Sequence, residues 1–364
     1  MELSRRELLT VSALLLARPR AALPTTAPGT DPIVLCWNEN PYGPSPAARA
    51  AVSDAIAASC RYPDDDIAAL VSALAAKEGF PVDHVVTGTG SGELLCALGQ
   101  IHGHDGGEII AAAPTYAELT DYAQHAGARL RFVPVDKQLR HDLTAMRAAV
   151  SERTRAVYVC NPNNPTGTAL PAAAIRAFVN SLPEKVTTIV DEAYMDFADG
   201  AGVGSVVDLV GQGKRVVILR TFSKIHGMAG IRVGYGIARP DLTAELTATR
   251  MTSANIFAMR AARASLADHA FLTDTRRRIL ASRVRITTEL KRLGLAHADA
   301  QGNFVFFDTG MPLARFDAAM REHNILVGRL FPPFDTWCRI TIGTEPEVAA
   351  FLAALRTVVT NRHA

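Results

Sequence analysis

Apolar residues in the middle of the chain form short runs that are separated by longer segments with helical spacing. Three of these runs, at residues 156–160, 186–190 and 215–219, are rich in residues that favour strands, and each ends in a polar cluster. Short apolar strands separated by helices predict a mostly parallel sheet with helices on both faces, an α/β fold. Ligands collect at the carboxyl ends of such strands, so the polar clusters are expected to meet there.

From about residue 263 the pattern changes to one long helix, which contains Arg276 to Arg278 and is closed by Gly294. The elements predicted after it are a strand at 303–307, a helix near 316–323, a strand at 338–342 and a final helix. This order predicts a smaller α+β domain over residues 263–364, which follows a large cofactor-binding domain over residues 51–262.

An irregular segment precedes the large domain. The prolines of NENPYGPSP, which begins at Asn38, exclude regular structure, so residues 25–50 are expected to form an arm that belongs to the small domain. A helix is then predicted up to about Ser59, and a second helix is predicted with Asp66 as its cap.

The first 24 residues differ from the rest of the chain and predict an export signal. Arg5 and Arg6 precede an apolar stretch, Leu8 to Ala17, that is too short to span a bilayer as a helix. This layout is typical of a twin-arginine signal, which would deliver the folded protein to the periplasm or outside the cell. The alternative is a basic terminus without a targeting role, and the protein is then expected in the cytoplasm.

Composition narrows the range of partners. The 364 residues are 48% hydrophobic and 20% charged, which is enough for a full core and for two or three structural units. A formal net charge of +2 gives no strong field of one sign to attract nucleic acid, and no stable membrane insertion of the mature chain is predicted. The five cysteines have no metal-like spacing, so no metal site is predicted.

Lys224 carries the most informative chemistry. It follows the strand at 215–219, with the hydroxyls of Thr221 and Ser223 before it and Arg232 eight residues after it. A lysine amine can join an aldehyde as a Schiff base and then move protons, while a nearby guanidinium binds a phosphate. This combination predicts pyridoxal 5'-phosphate as the cofactor, with these four side chains binding it and Lys224 acting as a catalytic residue.

Two further strand ends supply polar groups that this cofactor needs. Asp191, in DEAYMDF, is placed to keep the pyridine nitrogen protonated, although it could instead cap a helix. Tyr194, three residues later, offers a phenol to the ring oxygen of the cofactor, and Asn164 in NPNNPTG can donate to the same oxygen. We therefore predict that Asp191 and Tyr194 are catalytic and that all three residues bind the cofactor.

A glycine-rich turn predicts the phosphate site. The run VVTGTGSGELLCAL indicates a strand, a turn at Gly90, Ser91 and Gly92, and a helix whose first N–H groups point at an anion. The same letters resemble a nucleotide or S-adenosylmethionine loop, but the next strand ends in Pro114 without the acidic residue that a ribose needs. Tyr116 is predicted to stack on the pyridine ring, with packing in the core as the alternative.

Taken together, these motifs resemble those of the fold-type I aminotransferases, and within them the histidinol-phosphate aminotransferase family. The similarity begins at about Ile33 and continues to the carboxyl terminus. The motifs that carry it are NENPYGPSP, RYPD, GSGE, PTY, NPNNPTG, DEAY, TFSK with Arg232, GNF and RITIGT. The resemblance implies the fold of that family and pyridoxal phosphate as its cofactor.

The resemblance also implies further site residues. It implies a homodimer in which Tyr62 of RYPD reaches the cofactor phosphate of the partner subunit. Arg339 matches the arginine that binds the anionic group of the substrate, with a structural ion pair as the alternative. The arm around Asn40 and Tyr42 is expected to close over the bound substrate.

The chain departs from the family pattern where a second substrate-binding arginine is usual. Gly328 and Arg329 follow the strand here, and the loop LFPPFDTWC contributes Phe331, Phe334 and Trp337. These residues favour a pocket for an aromatic or apolar side chain over one for a phosphate-bearing substrate. The predicted function is transfer of an amino group between an amino acid or related amine and a 2-oxo acid.

Two other functions fit parts of the sequence. A pyridoxal-phosphate decarboxylase of the threonine-phosphate type would share this framework and differ in which bond of the α-carbon is aligned with the ring. A membrane-tethered, non-catalytic binding protein would retain the apolar stretch of the leader as an anchor.

Overall fold

The computed structural model describes residues 31–251 and 254–360, so the predicted export signal lies outside the described residues. From Val34 onward the chain forms one compact body. Among the described residues, no helix combines the length and the apolar character that crossing a bilayer requires.

Eleven strands are found in the described residues. They are β1 Ile33–Val34, β2 Val85–Gly88, β3 Glu108–Ala113, β4 Arg129–Pro134, β5 Thr154–Cys160, β6 Thr187–Asp191, β7 Val216–Thr221, β8 Gly234–Ala238, β9 Phe304–Asp308, β10 Ile325–Leu326 and β11 Trp337–Thr341. Seven of them form one sheet in the order β2-β8-β7-β6-β5-β3-β4. Strand β8 is antiparallel to both of its neighbours and the other pairs are parallel, which confirms the predicted mainly parallel sheet.

Twelve α-helices are found in the same part of the chain. They are α1 Pro46–Ala55, α2 Asp64–Glu78, α3 Gly90–Gly103, α4 Glu118–His125, α5 Leu143–Ala148, α6 Ala172–Ser181, α7 Asp208–Gly211, α8 Pro240–Thr249, α9 Ile256–Ala267, α10 His269–Arg292, α11 Leu313–Glu322 and α12 Glu345–Thr360. Five of these helices, α3 to α7, connect consecutive strands of the large sheet.

Helices cover both faces of the sheet, as the pattern of apolar residues predicts. Successive residues of a strand point to opposite faces, so they enter different cores. In β5, Val157 belongs to the core that contains Phe178 of α6. The next residue, Tyr158, belongs to the other core, which contains Leu94 of α3.

The predicted cap of the second helix is wrong. Helix α2 begins at Asp64 with Pro63 at the N-cap position, so Asp66 lies inside the first turn. Three consecutive aspartates occupy that turn, where their negative charge suits the positive end of the helix dipole. The Asp66 carboxylate instead pairs with Arg260 of α9 at 3.0 Å.

The carboxyl-terminal elements follow the predicted order with one break. The helix predicted from about residue 263 is interrupted at Asp268, whose side chain caps α10 by accepting from the Phe271 N–H at 3.2 Å. Directly after β1, the Leu35 N–H donates to the Leu326 carbonyl at 2.9 Å, and the Leu35 carbonyl accepts from the Thr341 N–H at 2.8 Å. The segment before the arm is therefore fastened to β10 and β11.

Phe307 of β9 provides a test of this carboxyl-terminal packing. Its side chain is fully buried, and the ring centres of Phe316 and Phe351 lie 5.9 and 6.4 Å from its own. We expect Phe307→Ala to lower the free energy of unfolding by about 3–5 kcal/mol, because the truncation leaves a cavity. Urea denaturation followed by circular dichroism measures this loss. Phe132→Ala, which removes a half-exposed ring from β4, is the control, and equal losses in the two variants would contradict the prediction.

Candidate active site

A cavity of about 290 Å³ lies at the carboxyl ends of β3, β5, β6 and β7. Its lining combines predicted residues from these strand ends, from the glycine-rich turn and from β11. They are Ser91, Gly92, Tyr116, Asn164, Asp191, Tyr194, Thr221, Ser223, Lys224, Arg232 and Arg339. The fold therefore brings together side chains that lie far apart in the sequence.

The Lys224 amine is held inside this cavity. Its Nζ donates to the Asn38 carbonyl at 3.0 Å and lies 5.3 Å from the centre of the Tyr194 ring. Burial, reinforced by the nearby Arg339 guanidinium, lowers the pKa of Lys224 from 10.5 to about 8. A larger fraction of the amine is therefore neutral, and nucleophilic, at neutral pH than in an ordinary lysine.

Asp191 ends β6 and presents a buried carboxyl group. Its Oδ1 accepts from the Ala193 N–H at 3.0 Å, and its Oδ2 accepts from the Tyr158 hydroxyl at 3.2 Å. Burial raises the pKa of Asp191 from 3.8 to about 6, although both hydrogen bonds oppose this rise. Tyr194 is the N-cap residue of the next element, the short 3-10 helix Met195–Phe197, so Asp191 is not its cap.

Tyr194 lies at the centre of a buried hydrogen-bond network. Its hydroxyl oxygen accepts from Asn164 Nδ2 at 3.3 Å and from Asn38 Nδ2 at 3.2 Å. The Oδ1 of Asn164 in turn accepts from Arg339 Nη1 at 2.6 Å. Burial raises the pKa of Tyr194, so the phenol stays protonated and can donate to an oxygen in the cavity.

Gly90, the first residue of α3, lies against Arg232. Gly90 has a φ of +79°, and a Cβ atom there would collide with the Arg232 guanidinium, so the position requires glycine. Arg232 also has a left-handed backbone, with φ of 64°, and donates to the Ala229 carbonyl at 2.9 Å and to Ser223 Oγ at 3.3 Å. The Ser223 N–H donates to the Thr221 hydroxyl at 3.0 Å. The guanidinium and the helix N-terminus together form a cradle that suits an anion.

Tyr116 lines the cavity beside this cradle. Its hydroxyl donates to the carboxylate of Glu118, and burial, reinforced by that carboxylate, raises the pKa of Tyr116. Glu118 itself lies against Gly92, where a Cβ atom would come within 3.0 Å of both carboxylate oxygens. Because Tyr116 is 37% exposed, the alternative of a core tyrosine is wrong.

Arg339 of β11 is buried at the other side of the cavity. Besides its bond to Asn164, it donates from Nη2 to the Cys36 carbonyl at 2.7 Å, and its Nε has no hydrogen-bond partner. The ring centres of Phe304 and Phe331 lie 5.8 and 5.0 Å from the guanidinium carbon. Within the part of the chain that is described, no carboxylate forms an ion pair with Arg339, which disfavours the structural alternative.

Besides Gly90, which lies against Arg232, three predicted site residues do not line the cavity of this chain. Tyr62 is 92% exposed. Asn40 donates from Nδ2 to the Ile225 carbonyl at 2.8 Å, while its Oδ1 accepts from the Tyr42 N–H at 3.0 Å. The Tyr42 ring packs under Arg278, whose guanidinium carbon lies 5.2 Å from the ring centre. Asn40 and Tyr42 thus fasten the arm next to Lys224 without facing the cavity.

The aromatic residues of the LFPPFDTWC loop separate into two groups. Phe331 lines the cavity, as predicted. Phe334 and Trp337 instead pack against Phe306, with ring centres 5.7 and 5.0 Å from the Phe306 ring. A proline-rich loop has no periodic pattern that predicts which of its side chains point inward.

Several cavity residues are missing from the sequence predictions. Trp37, Asn38, Glu118, Ala229 and Arg329 all contribute to the lining. Trp37 and Asn38 lie in an irregular segment, so no periodicity indicates their direction. A bulky aromatic residue directly before the polar NENPYGPSP arm is the one local feature that points to Trp37.

The side chains around the cavity fit pyridoxal phosphate. At one end of the cavity, Ser91 and Gly92 in the first turn of α3 lie with Thr221, Ser223 and the Arg232 guanidinium, and these residues supply the donors and the positive charge that a phosphate needs. The buried Asp191 carboxyl group has no ion-pair partner within 31–251 and 254–360, and a protonated pyridine nitrogen would supply one. In the same ranges, no group of three or more His, Cys, Asp or Glu side chains could hold a metal ion.

Comparisons with known proteins agree with this geometry. Residues 30–355 match the family model described as Aminotransferase class I and II. A histidinol-phosphate aminotransferase of Moorella thermoacetica is 38% identical over 333 residues, which cover 90% of this chain and 86% of that protein. An aromatic amino acid aminotransferase of Rhodococcus jostii is 39% identical over 335 residues, which cover 91% of this chain and 92% of that protein.

A solved structure extends the comparison to the fold and the cofactor. The histidinol-phosphate aminotransferase from Sinorhizobium meliloti, in complex with pyridoxal-5'-phosphate, has a TM-score of 0.84 and is 28% identical, covering 95% of this chain and 99% of that one. These similarities confirm the predicted fold, cofactor and enzyme class, and they favour amino-group transfer over the decarboxylase and non-catalytic alternatives. The chain belongs to the class I and II aminotransferase family and is a pyridoxal-phosphate-dependent aminotransferase.

Proposed function

We propose that the enzyme transfers an amino group between an amino acid with an aromatic or apolar side chain and a 2-oxo acid. The observation that carries this proposal is the single cavity lined by the Lys224 amine, the Asp191 carboxyl group and the Arg339 guanidinium. Phe331 adds an aromatic surface next to Arg339. The similarity to an aromatic amino acid aminotransferase supports the same substrate class.

Three residues would bind the ring of the cofactor. When bound, pyridoxal phosphate supplies an electron sink for the bond that breaks at the substrate α-carbon. The Asp191 carboxylate would keep the pyridine nitrogen protonated, because a buried anion is stabilised by a cation in contact with it. The Asn164 amide and the Tyr194 hydroxyl, which already share a hydrogen bond, would donate to the ring oxygen.

Lys224 would perform two tasks. Its amine would attach the cofactor covalently, which requires the neutral form that the lowered pKa provides. The Lys224 amine would also act as the base that takes the proton from the substrate α-carbon and then as the acid that returns it. The Asn38 carbonyl, 3.0 Å from Nζ, would orient the amine.

The two ends of the bound molecules would be fixed by arginines. Arg232, with the hydroxyls of Thr221 and Ser223 and the N–H groups at the start of α3, would hold the phosphate. Tyr116 would stack on the pyridine ring. Arg339 would bind the carboxylate of the substrate, which would also provide a partner for the unsatisfied Nε.

We also propose that the enzyme is a homodimer. The Tyr62 ring is 92% exposed in one chain, and Tyr62 lies outside the cavity of that chain. In the proposed dimer, the partner subunit's Tyr62 would donate to the cofactor phosphate, so the exposed phenol would be covered by the assembly. Each site would then be complete only in the dimer.

The ends of the chain carry two further proposals. We propose that residues 1–24 are a twin-arginine export signal, on the basis of Arg5, Arg6 and the short apolar stretch that follows them.

We also propose that residues 25–50 and 263–364 form a smaller domain beside residues 51–262. The backbone hydrogen bonds that fasten Leu35 to β10 and β11 support this grouping.

A phosphate-bearing amine such as histidinol phosphate is the second candidate substrate. Arg329 lines the cavity, with its guanidinium carbon 4.4 Å from the centre of the Phe331 ring, and it could bind a second anion. Steady-state kinetics with histidinol phosphate and with L-phenylalanine decide between the two candidates.

The role of Lys224 can be tested by removing its amine. We expect Lys224→Ala to lower kcat for amino transfer from L-phenylalanine by about 10²–10⁴-fold, because attachment and proton transfer are both lost. After borohydride treatment, mass spectrometry should find reduced cofactor on the peptide with residue 224 in the wild type only. Lys137→Ala, which changes an exposed lysine, is the control. Wild-type turnover by Lys224→Ala would exclude the proposed role.

The pKa of Lys224 can be tested by chemical modification of the enzyme without cofactor. Only the neutral amine reacts with acetic anhydride, so its modification rate should rise with pH and level off above about pH 8. Peptide mass spectrometry with limiting reagent measures the rate at each pH. The exposed Lys137 serves as the internal reference, and identical pH profiles for the two lysines would refute the lowered pKa.

The proposed carboxylate site can be tested with Arg339→Lys. A lysine keeps the charge but loses the planar, two-point hydrogen bonding, so KM for L-phenylalanine should rise about 10–100-fold. The comparison substrate is 1-phenylethylamine, which has the ring and the amine but no carboxylate. In Arg339→Lys, KM for L-phenylalanine should rise much more than KM for 1-phenylethylamine. An equal rise in KM for both amines would show that Arg339 does not bind the carboxylate.

A further inference from the structure

We infer that the indole of Trp37 forms part of the subsite for the substrate side chain and gives the enzyme its preference for aromatic rings. This inference rests on the proposed function, in which the substrate carboxylate binds Arg339. It adds a specificity-determining residue that no motif of the sequence identifies.

Trp37 has the position that such a role requires. It lines the cavity together with Lys224 and Arg339, yet 64% of the residue is exposed. Large apolar surface that remains exposed at a cavity is a favourable contact for an apolar ligand group. The second tryptophan of the chain, Trp337, is instead packed against Phe306 with a ring distance of 5.0 Å.

The backbone on both sides of Trp37 is fastened to the site. Before it, the Cys36 carbonyl accepts from Arg339 Nη2 at 2.7 Å. After it, the Asn38 N–H donates to the Thr341 hydroxyl at 2.8 Å, and the Asn38 carbonyl accepts from Lys224 Nζ at 3.0 Å. These bonds fix the backbone on both sides of Trp37 relative to the groups that would bind and activate the substrate, so the indole is attached to an ordered segment beside the cavity.

Four aromatic residues line the cavity, and two of them, Trp37 and Phe331, are available for the substrate side chain. The other two, Tyr116 and Tyr194, are assigned to the cofactor, and their hydroxyls form the hydrogen bonds already described. Phe331 packs on one side of Arg339, and Trp37 follows Cys36, whose carbonyl binds the same guanidinium. A substrate whose carboxylate binds Arg339 therefore has an aromatic surface within reach of its side chain, and ring contacts there favour an aryl group over an alkyl group.

The test compares two carboxylates that bind without reacting, 3-phenylpropionate and butyrate, as inhibitors of the holoenzyme. The wild type should bind 3-phenylpropionate more tightly than butyrate. In Trp37→Ala the ratio of the two inhibition constants should fall by about tenfold, because one aromatic contact is lost, whereas Trp37→Phe should keep most of the ratio. Circular dichroism and the cofactor absorption spectrum show that each variant is folded and loaded.

A fluorescence measurement supplies an independent readout. In the Trp337→Phe background, Trp37 is the single remaining tryptophan, and its emission should change on addition of 3-phenylpropionate but much less with butyrate. If Trp337→Phe does not fold, the difference between wild-type and Trp37→Phe emission reports the same signal.

The outcomes separate this inference from the proposed function. A wild type that prefers the phenyl compound, with the preference unchanged in Trp37→Ala, overturns the role of Trp37 and leaves the proposed substrate class intact. Equal weakening of both inhibitors in Trp37→Ala also overturns it, because Trp37 would then only support the backbone. A wild type without any preference for the ring overturns the inference as well and leaves an apolar side chain within the proposed substrate class, whereas a wild type that binds neither carboxylate refutes that class.

Discussion

A buried chain of hydrogen bonds runs from Arg339 through Asn164 and Tyr194 to Asn38 and Lys224. Its members come from five separate parts of the sequence. Each bond compensates a buried polar group for the hydrogen bonds to water that it loses on folding. Because a partly satisfied buried network is costly, the members hold one another in place. The position of the reactive amine is thus tied to the position of the guanidinium that would bind the substrate.

Burial shifts the pKa values of the two titratable groups at the centre of the site in opposite directions. It lowers the pKa of the Lys224 amine and raises that of the Asp191 carboxyl group, so both groups have less charge near neutral pH than they would have in water. Arg339 remains a cation without an ion pair among the described residues, and its Nε is unsatisfied. Such a cavity is electrostatically incomplete by itself. A cofactor with a phosphate and a protonated ring, together with a carboxylate substrate, would supply the missing partners and stabilise the folded chain.

Sequence reasoning locates the parts of the site that regular structure controls. Asp191 and Lys224 follow apolar strands, and in a parallel sheet the ends of such strands meet at one edge, so their proximity could be predicted. It fails where local rules compete, as at Asp66, where three adjacent aspartates offer equivalent helix starts. It also fails in irregular segments, since Phe334 packs away from the cavity and Trp37 lines it for tertiary reasons alone.

The adjacent residues Trp37 and Asn38 have different roles: Asn38 belongs to the hydrogen-bond network, whereas the Trp37 side chain faces the cavity. Asn38 uses its N–H, its carbonyl and its side chain in the network, and its backbone is left-handed with φ of 56°, which asparagine tolerates better than most residues. Position 38 is therefore constrained by chemistry and by conformation. No such constraint acts on the side chain at position 37, because the bonds around it use backbone atoms of its neighbours. A change of side chain there can alter the surface that meets the substrate while the amine, the guanidinium and their connection stay in place.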